Sequence, residues 1–292
     1  MTTSQQLTPK GEYTGGIEGP AVDRDGILYV VSLKENGPPD KGTRSIGMVE
    51  PGTAKSKLFA KLPVGSLGSG TRFDRDGRMY VADHKGHNVF VFERGQTKPG
   101  VYFHSEAFNQ PNDLAIAADG TLYASDPRIK KGQASKIWRI SRRPDGTGRG
   151  EVMANDHEPM GHVNGIDLSP DGATLYVSES DTKRIVAYQL QGSKLAERHV
   201  VSKFDSPSGI DLDGLRTDSA GKIFVAWNGN GKVLAVAPDG SSVEEIRTQG
   251  KNPSNLTFGG PDAMTVYVTQ VDGGFIESFR HDKPGREPFQ QP

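Results

Sequence analysis

Six copies of one short pattern constrain what this chain can fold into. Each copy has a polar residue, a short apolar run, a tight turn containing Asp or Gly, and a second apolar run with an aromatic residue. Alternating β-branched and aromatic residues on both sides of such a turn predict two strands joined by a hairpin. The aromatic residues recur every 43 to 53 residues, at Tyr29, Tyr80, Tyr123, Tyr176, Phe224 and Tyr267.

Each repeat is long enough for four short strands, and helical periodicity is absent from the sequence. The clearest third strands are predicted at residues 88–92, 136–140, 184–190 and 232–237, with weaker fourth strands at 101–104 and 198–202. Four-stranded units at this period predict an all-β protein, a six-bladed β-propeller. The repeats cover nearly the whole chain, so we expect a single domain over residues 1–292.

The two ends of the chain indicate how such a ring would close. After Phe279 the sequence RHDKPGREPFQQP is too polar and Pro-rich for the outer strand of blade six. The N-terminal segment, around residues 7–13, is therefore predicted to supply that strand and to cover its exposed edge. Removing residues 1–13 should destabilise the ring, whereas removing residues 283–292 should be nearly harmless.

Composition excludes several classes of function. The chain has 35 basic and 36 acidic residues, so its charge gives no reason to expect nucleic acid or an anionic membrane as partner. No apolar run approaches the roughly 20 residues of a membrane helix, and the first ten residues lack the apolar core of a signal peptide. The absence of Cys excludes disulfides and thiolate chemistry. We expect a soluble, cytoplasmic monomer or small homo-oligomer.

One position of the repeat carries an oxygen-bearing side chain in all six copies. It lies eleven residues before the aromatic residue, or twelve where the turn has one extra residue. Equivalent positions of a propeller are related by rotation, so these side chains should face one axis. They are Glu18, Ser69, Asn112, Asn164, Asp213 and Asn255.

Such a set, with two carboxylates, suits a hard divalent cation. Ca²⁺ is preferred because it accepts about 6–8 oxygens, amide carbonyls included, whereas Mg²⁺ and Mn²⁺ require fewer in stricter geometry. The alternative is that Asn, Asp and Ser merely cap strand starts, as they do in many turns. That alternative explains Glu18 poorly, because Glu is not a turn residue.

Four motifs carry a family resemblance: GIEGPAVDRDG, QPNDLAIAADGTLYASDP, VNGIDLSPDGATLYVSES and DLDGLRTDSAGKIFVA. They resemble the senescence marker protein/gluconolactonase/luciferin-regenerating enzyme family. The resemblance implies a six-bladed propeller with one catalytic divalent cation in its channel, and hydrolysis of lactones. By motif, Glu18, Asn164 and Asp213 correspond to metal ligands. Asn112 corresponds to a position that contacts metal or substrate, and Asp213 also corresponds to the proposed general base.

The resemblance also suggests substrate contacts. Gln110 stands where regucalcin-like sugar lactonases carry a substrate-binding Arg, which favours a less polyhydroxylated ring. His84 resembles a family His at the mouth, although a lone exposed His is the alternative for it, as for His157 and His162. Asp126, in SDP, either orients substrate or caps a turn. The predicted substrate-binding set is Asn112, Gln110, Asp126, Asn255 and His84.

Two long connections, residues 34–45 and 127–135, follow second strands and so begin on the face of the axial residues. They either shape the mouth of the channel or are plain surface loops.

The predicted function is therefore metal-dependent hydrolysis of a small lactone. Ca²⁺ is the first choice of cation, with Mg²⁺, Mn²⁺, Zn²⁺ and Fe²⁺ as alternatives, and either Asp213 or the cation activates the attacking water. No nucleophile elbow, phosphate loop or His-rich metal motif competes with this interpretation. The alternatives are a phosphotriesterase of the diisopropyl fluorophosphatase type and a non-enzymatic binding propeller. Strictosidine synthase-like propellers lack this acidic ligand set.

Overall fold

Six antiparallel sheets surround a central channel, and each innermost strand packs against those of the neighbouring sheets. The computed structural model describes residues 2–13, 16–33, 44–49, 52–155, 159–207 and 209–287. Within these ranges there is no helix, and so none that could span a membrane. The predicted all-β, six-bladed propeller is confirmed.

The blades follow one another along the chain, after a short strand β1 (Gln5–Gln6). Blade one contains β2 (Ile17–Val22), β3 (Leu28–Ser32), β4 (Ser45–Val49) and β5 (Ser56–Lys61). Blade two contains β6 (Gly68–Phe73), β7 (Met79–Asp83), β8 (Asn88–Phe92) and β9 (Gly100–His104). Blade three contains β10 (Leu114–Ile116), β11 (Leu122–Asp126), β12 (Lys136–Arg142) and β13 (Gly148–Val152).

In blade four a two-residue strand, β14 (Ala154–Asn155), adds a fifth member to the sheet by pairing parallel with β18. The other strands of that blade are β15 (Val163–Leu168), β16 (Thr174–Glu179), β17 (Arg184–Gln191) and β18 (Lys194–Lys203). Blade five contains β19 (Asp211–Thr217), β20 (Ile223–Asn228), β21 (Lys232–Val236) and β22 (Val243–Arg247). Blade six contains β23 (Pro253–Gly259), β24 (Thr265–Gln270) and β25 (Phe275–Arg280), with β1 as its outer strand.

The Asp of the repeated turn holds the first two strands of a blade together. In blade one the Asp23 carboxylate accepts hydrogen bonds from the backbone amides of Asp25 and Ile27, each at 2.9 Å, and from the hydroxyl of Tyr29 at 3.1 Å. In blade two Asp74 binds the equivalent groups, including the Tyr80 hydroxyl at 3.0 Å. The recurrent Asp and aromatic residues are therefore parts of one structural unit.

The apolar core lies between neighbouring blades and leaves the axis to polar residues. Inner strands such as β2 and β6 are buried along their whole length, whereas the outer strand β13 is mostly exposed. Between blades one and two, Tyr29 packs against Phe59 and Phe73 with ring centroids 5.0 and 5.2 Å apart. Six such clusters account for most of the buried apolar side chains among the described residues.

The N-terminal segment closes the ring, as the sequence predicts, but the pairing strand is Gln5–Gln6 and lies just before the predicted residues 7–13. Strand β1 pairs antiparallel with β25, with Gln5 opposite Ser278 and Gln6 opposite Glu277. Ser4 is buried, and its hydroxyl donates to the carboxylate of Glu277. The same carboxylate accepts the backbone amide of Gln249 at 2.7 Å, so the closing strand is tied to the loop after blade five as well.

The expectation that residues 283–292 are dispensable is wrong for part of that segment. Arg286 and Glu287 are only 6% and 4% exposed, because the chain after blade six turns into the channel. The backbone amide of Ser219 donates to the Pro284 carbonyl at 2.8 Å, and that of Arg286 to the Thr217 carbonyl at 3.1 Å. The polar residues that make this segment unsuitable as an outer strand contact the polar interior of the ring instead.

Candidate functional site

Local irregularity of the inner strands brings the six axial residues to the channel. In five blades the pairing between the first and second strand is interrupted at or beside this position, as between Glu18 and Ala21 in blade one. In blade three the strand begins only at Leu114, just after Asn112 and Asp113. A bulge frees a residue from the ladder and redirects its side chain, here toward the axis.

The glycine that follows the axial residue in four blades is required by the close approach of neighbouring inner strands. A Cβ on Gly19 would lie 2.0 Å from the Ser69 carbonyl oxygen, and Gly19 has φ +55°. A Cβ on Gly165 would lie 2.3 Å from the backbone nitrogen of Leu215. Only glycine allows backbones to meet this closely. The repeated pairs E-G, S-G, N-G and D-G are thus the signature of a narrow channel.

Hydrogen bonds link five of the six axial residues into two sets. Ser69 Oγ donates to Asn112 Oδ1 at 3.0 Å, and Asn112 Nδ2 donates to Asn164 Oδ1 at 2.7 Å. On the other side Asn255 Nδ2 donates to Glu18 Oε1 at 3.1 Å. The structure therefore brings the sequence-predicted residues of different blades within contact of one another.

Glu18 and Asp213 are the two acidic axial residues. Burial raises the pKa of Glu18 to about 7, against hydrogen bonds from Ser254 and Asn255 that lower it. Burial also raises the pKa of Asp213 well above its ordinary value, and the charge of Glu18 raises it further. Asn228 Nδ2 donates to Asp213 Oδ2 at 3.1 Å and fixes the orientation of that carboxylate. A nearby positive charge would favour the ionised form of both groups.

The layer below supplies only part of such a charge: Arg72 lowers the pKa of Glu18, but the arginines of this layer are themselves paired with carboxylates. Asp113 Oδ2 lies 2.8 Å from Arg216 Nη1, and Asp113 Oδ1 lies 3.4 Å from Arg72 Nη2. The remaining charge of Arg72 is matched by Glu287, whose Oε1 lies 2.9 Å from Arg72 Nε. The two arginines below the axial layer are thus committed to Asp113 and Glu287.

The axial donors fit a divalent cation. Glu18 Oε2 is buried and has no hydrogen-bond partner among the described residues, which leaves one carboxylate oxygen for a ligand. Two carboxylates would balance a charge of +2, and the amide oxygens of Asn112 and Asn164 are neutral donors of the kind that Ca²⁺ accepts. No group of three or more His, Cys, Asp or Glu suited to a metal occurs in the described ranges. The candidate centre therefore depends on mixed carboxylate and amide oxygens.

Two cavities open from the axial residues and meet at Asp213. The smaller, about 220 Å³, is lined by Glu18, Ser69, Asn112 and Asp213, with His84, Leu33, Leu67 and Val271 among its walls. The larger, about 760 Å³, contains polar and charged side chains beside Asn164 and Asp213: Arg128, His162, Ser180, Asp181, Lys183 and Asp211. Together they form the mouth of the channel.

The other predicted substrate contacts have different positions. His84 lines the smaller cavity, and burial lowers its pKa. His162 lines the larger one. Gln110 is half-buried beside them, and its Nε2 donates to the Arg128 carbonyl at 3.3 Å. His157 and residues 34–43 lie outside the described residues, so the prediction for the first long connection stays a prediction. In the second connection Arg128 lines the mouth.

Two predicted substrate contacts are buried and line neither cavity. Asp126 is 0% exposed, and its carboxylate accepts the backbone amides of Asn109 and Gln110 and the indole of Trp138 at 2.9 Å. It holds the rim loop from beneath. Asn255 is 1% exposed, and Leu256 N donates to its Oδ1 at 2.8 Å. Because its Nδ2 contacts Glu18, Asn255 supports a candidate ligand and does not reach the cavity.

Sequence reasoning identified only part of the rim. The position two before the axial residue is Leu67, Gln110, His162 and Asp211 in blades two to five. Gln110 and His162 were named from the sequence, and the same register would have found Leu67 and Asp211. Arg128 and Lys183 form ion pairs with Asp181 and Asp211 respectively. The repeat pattern does not predict these ion pairs.

A family model described as SMP-30/Gluconolactonase/LRE-like region matches residues 14–272. The chain belongs to this family. The match spans all six inner strands and every axial residue, so the predicted resemblance is confirmed.

Two curated relatives show how far the similarity extends. A 6-deoxy-6-sulfogluconolactonase of Pseudomonas putida is 34% identical over 151 residues, which cover 51% of this chain and 48% of that protein. The aligned region thus spans about half the length of that relative. Diisopropyl-fluorophosphatase of Loligo vulgaris is 25% identical over 292 residues, which cover 94% of this chain and 91% of that protein.

Among solved structures, the calcium-binding protein regucalcin from Agrobacterium tumefaciens superposes with a TM-score of 0.78. The match is 20% identical in sequence and covers 100% of this chain and 98% of the other. At this identity the similarity establishes the fold alone, in agreement with the six blades described above.

Proposed function

We propose that this protein is a divalent-cation-dependent hydrolase that opens a lactone ring at the axial site. The observation that carries the proposal is the pair Glu18 and Asp213, a buried and a half-buried carboxylate at the base of an open cavity, whose pKa values are raised by burial. Membership in a family that includes gluconolactonases supports the lactone as the class of substrate.

Glu18, Asn164, Asp213 and Asn112 would hold the cation. When bound, it supplies a Lewis acid for the carbonyl oxygen of an ester and stabilises negative charge there. Ca²⁺ fits this oxygen-only donor set best, with Mg²⁺, Mn²⁺, Zn²⁺ and Fe²⁺ as the alternatives.

Asp213 would act as the general base. Burial raises the pKa of Asp213 and so favours its acceptance of a proton, and Asn228 fixes one of its oxygens at 3.1 Å. Water attacks the lactone carbonyl carbon as Asp213 accepts one of its protons. The bond from that carbon to the ring oxygen then breaks, and the proton passes to this oxygen to give the hydroxy acid.

The experiment that tests the proposal is hydrolysis by the chelated protein with each metal added back in turn. The substrates are γ-butyrolactone, an alkyl-substituted γ-lactone and glucono-1,5-lactone. We expect no turnover after chelation and recovery with Ca²⁺. Turnover that is unaffected by chelation would refute metal dependence, and no turnover of any lactone under any metal would refute the proposed reaction.

Phosphotriester hydrolysis is a second candidate, because diisopropyl-fluorophosphatase aligns with 94% of this chain. The same cation and carboxylates could serve attack at phosphorus. Diisopropyl fluorophosphate is therefore included beside the lactones. A kcat/KM for it above that for every lactone would favour this alternative.

A further inference from the structure

The mouth above the axial residues is divided into an apolar and a polar half. The apolar half comes from blades six, one and two, where Val271, Leu33 and Leu67 line the smaller cavity. The polar half comes from blades four and five, where His162 and Asp211 line the larger cavity. Because both cavities reach Asp213, a molecule bound there has one side against aliphatic carbon and the other against hydrogen-bonding groups.

Rotational symmetry makes this division a property of the sequence. The rim position that is Leu67 in blade two is His162 in blade four and Asp211 in blade five. A second position, four residues after the repeated aromatic residue, is Leu33 in blade one and Val271 in blade six, but His84, Ser180 and Asn228 in blades two, four and five. The aliphatic residues of these two positions thus lie in blades six, one and two. A sugar lactone has hydroxyl groups around its whole ring, and those against Leu33, Leu67 and Val271 would lose their hydrogen bonds to water without replacement.

We propose that the substrate is a lactone with an alkyl substituent on one side, held against Leu33, Leu67 and Val271, and with polar groups on the other side. This inference rests on the proposed lactonase function and narrows it. Gln110, which stands where sugar lactonases of the family have Arg, belongs to the polar side without adding a charge.

The test compares Leu67→Asn with wild type, using an alkyl-substituted γ-lactone and glucono-1,5-lactone in the presence of Ca²⁺. One methylene in an apolar pocket changes kcat/KM by roughly 10–200-fold, so wild type should prefer the alkyl lactone and Leu67→Asn should lower that preference at least about tenfold. Leu58→Asn, at an exposed position of β5, is the matched control and should leave the preference unchanged.

The possible results distinguish failure of this inference from failure of the proposed lactonase function. Hydrolysis of both lactones with a preference for glucono-1,5-lactone, or an equal loss for both in Leu67→Asn, would overturn the inference and leave lactonase activity in place. Failure of every metal-loaded sample to hydrolyse any lactone would overturn the proposed function, and this inference with it.

A different observation concerns the segment Pro284–Glu287, which lies at the far end of the channel. It contacts the ends of the inner strands that are remote from the cavities, through Thr217 and through the isolated bridge between Asp218 and Gly285. Arg286 Nη2 lies 2.5 Å from Asp167 Oδ1, and Arg286 Nη1 donates to the Ile116 carbonyl at 3.1 Å. The segment thus brings two buried charges into the channel.

These charges belong to a balanced network below the candidate metal centre. Three arginines, Arg72, Arg216 and Arg286, meet three carboxylates, Asp113, Asp167 and Glu287. The network reaches the axial layer at Asp113, whose Oδ2 is 3.5 Å from Asn255 Nδ2, and Asn255 in turn donates to Glu18. Changing one charge at the far end therefore changes the potential at the axial oxygens.

We infer that Pro284–Glu287 closes the channel opposite the cavities, and that Glu287 and Arg286 are positioning residues that set the charge beneath the bound cation. Glu287→Gln leaves Arg72 with surplus positive charge and should weaken Ca²⁺ binding. Arg286→Gln leaves Asp167 with surplus negative charge and should strengthen it. Charges interact strongly where effective dielectric constants are low, so each change should be about threefold to tenfold in Kd, in opposite directions.

Calorimetric titration of the full-length variants with Ca²⁺ tests this inference, with circular dichroism to verify folding. Glu287→Asp and Arg286→Lys keep the charges and are the matched controls; both should bind Ca²⁺ nearly as wild type does. The double variant Glu287→Gln/Arg286→Gln should restore most of the affinity. Equal Kd values throughout, or a loss of affinity in both single variants, would overturn the inference and leave a purely structural role.

Discussion

Glu18 differs from the other axial residues in having one buried oxygen that no described residue satisfies. Gln has the same size but cannot carry the charge, so Glu18→Gln should lose metal affinity while the fold is retained. Mutating outer partners of a metal site typically costs about 10–100-fold in affinity, so the loss for a direct ligand should exceed about 100-fold. Activity should vanish at Ca²⁺ concentrations that saturate wild type.

Calorimetry with Ca²⁺ and circular dichroism measure the two effects separately. Glu93→Gln, an exposed position in blade two, is the matched control and should bind Ca²⁺ as wild type does. Unchanged affinity in Glu18→Gln would remove Glu18 from the site.

Asp213 combines two proposed roles, and Asp213→Asn separates them. Asn keeps one carbonyl oxygen for the cation but cannot accept a proton at neutral pH. General-base catalysis contributes about 10²–10⁴-fold, and kcat at saturating metal should fall by that factor. The measurement is kcat at rising Ca²⁺ with occupancy determined independently. Full recovery of kcat at high Ca²⁺ would show that Asp213 only binds the metal.

At the scale of the strands, much could be predicted from the sequence because the repeat is a local pattern. The third strand at residues 88–92 matches β8 residue for residue, and the predicted strand at 232–237 ends one residue beyond β21. The axial residues were found because a shared register converges on one axis. The burial of Asp126 and Asn255 could not be predicted, since the pattern shows position along a strand but not depth below the cavity.

The segment after blade six shows why the remainder could not be predicted. Its sequence is polar, and polarity alone indicates a solvated tail. Its partners, Asp167 and Arg72, lie 119 and 215 residues away in sequence and belong to no local motif. Ion pairs between distant segments depend on the assembled channel, so only the structure reveals that Arg286 and Glu287 are buried.

Closure of the ring by strand β1 gives a further testable prediction about the strands. Removing residues 1–13 exposes the edge of β25 and leaves Glu277 without the Ser4 hydroxyl, so the melting temperature should fall and aggregation should increase. Removing residues 288–292, which lie beyond the buried Glu287, is the control. Thermal melting and light scattering measure both effects. If removal of residues 1–13 left the melting temperature unaltered, the ring would be closed by some other means than β1.

For the whole molecule, convergence of six blades creates both the site and an electrostatic cost. The rotation that gathers the oxygen donors also brings together Glu18 and Asp213, whose pKa values are raised by burial. The charge of Arg72 relieves part of this cost at Glu18, while Asp113, Asp167 and Glu287 pair with the arginines of the channel. A cation bound at the proposed site would therefore stabilise the fold, and the pH dependence of stability should report this coupling.

The pKa of Glu18 is raised from 4.5 to about 7 in the folded protein, so the folded state binds its proton more tightly than the unfolded state does. Its contribution to stability is full below pH 4.5 and is lost as the pH rises through about 7. The melting temperature of the chelated protein should thus decrease from pH 5 to pH 8. Glu18→Gln should decrease less, and saturating Ca²⁺ should remove the decrease because the cation favours the ionised carboxylates. Calorimetric melting at each pH, with chelator or Ca²⁺, gives the comparison. A chelated wild type whose melting temperature rises over this range in parallel with Glu18→Gln would show that Glu18 does not contribute.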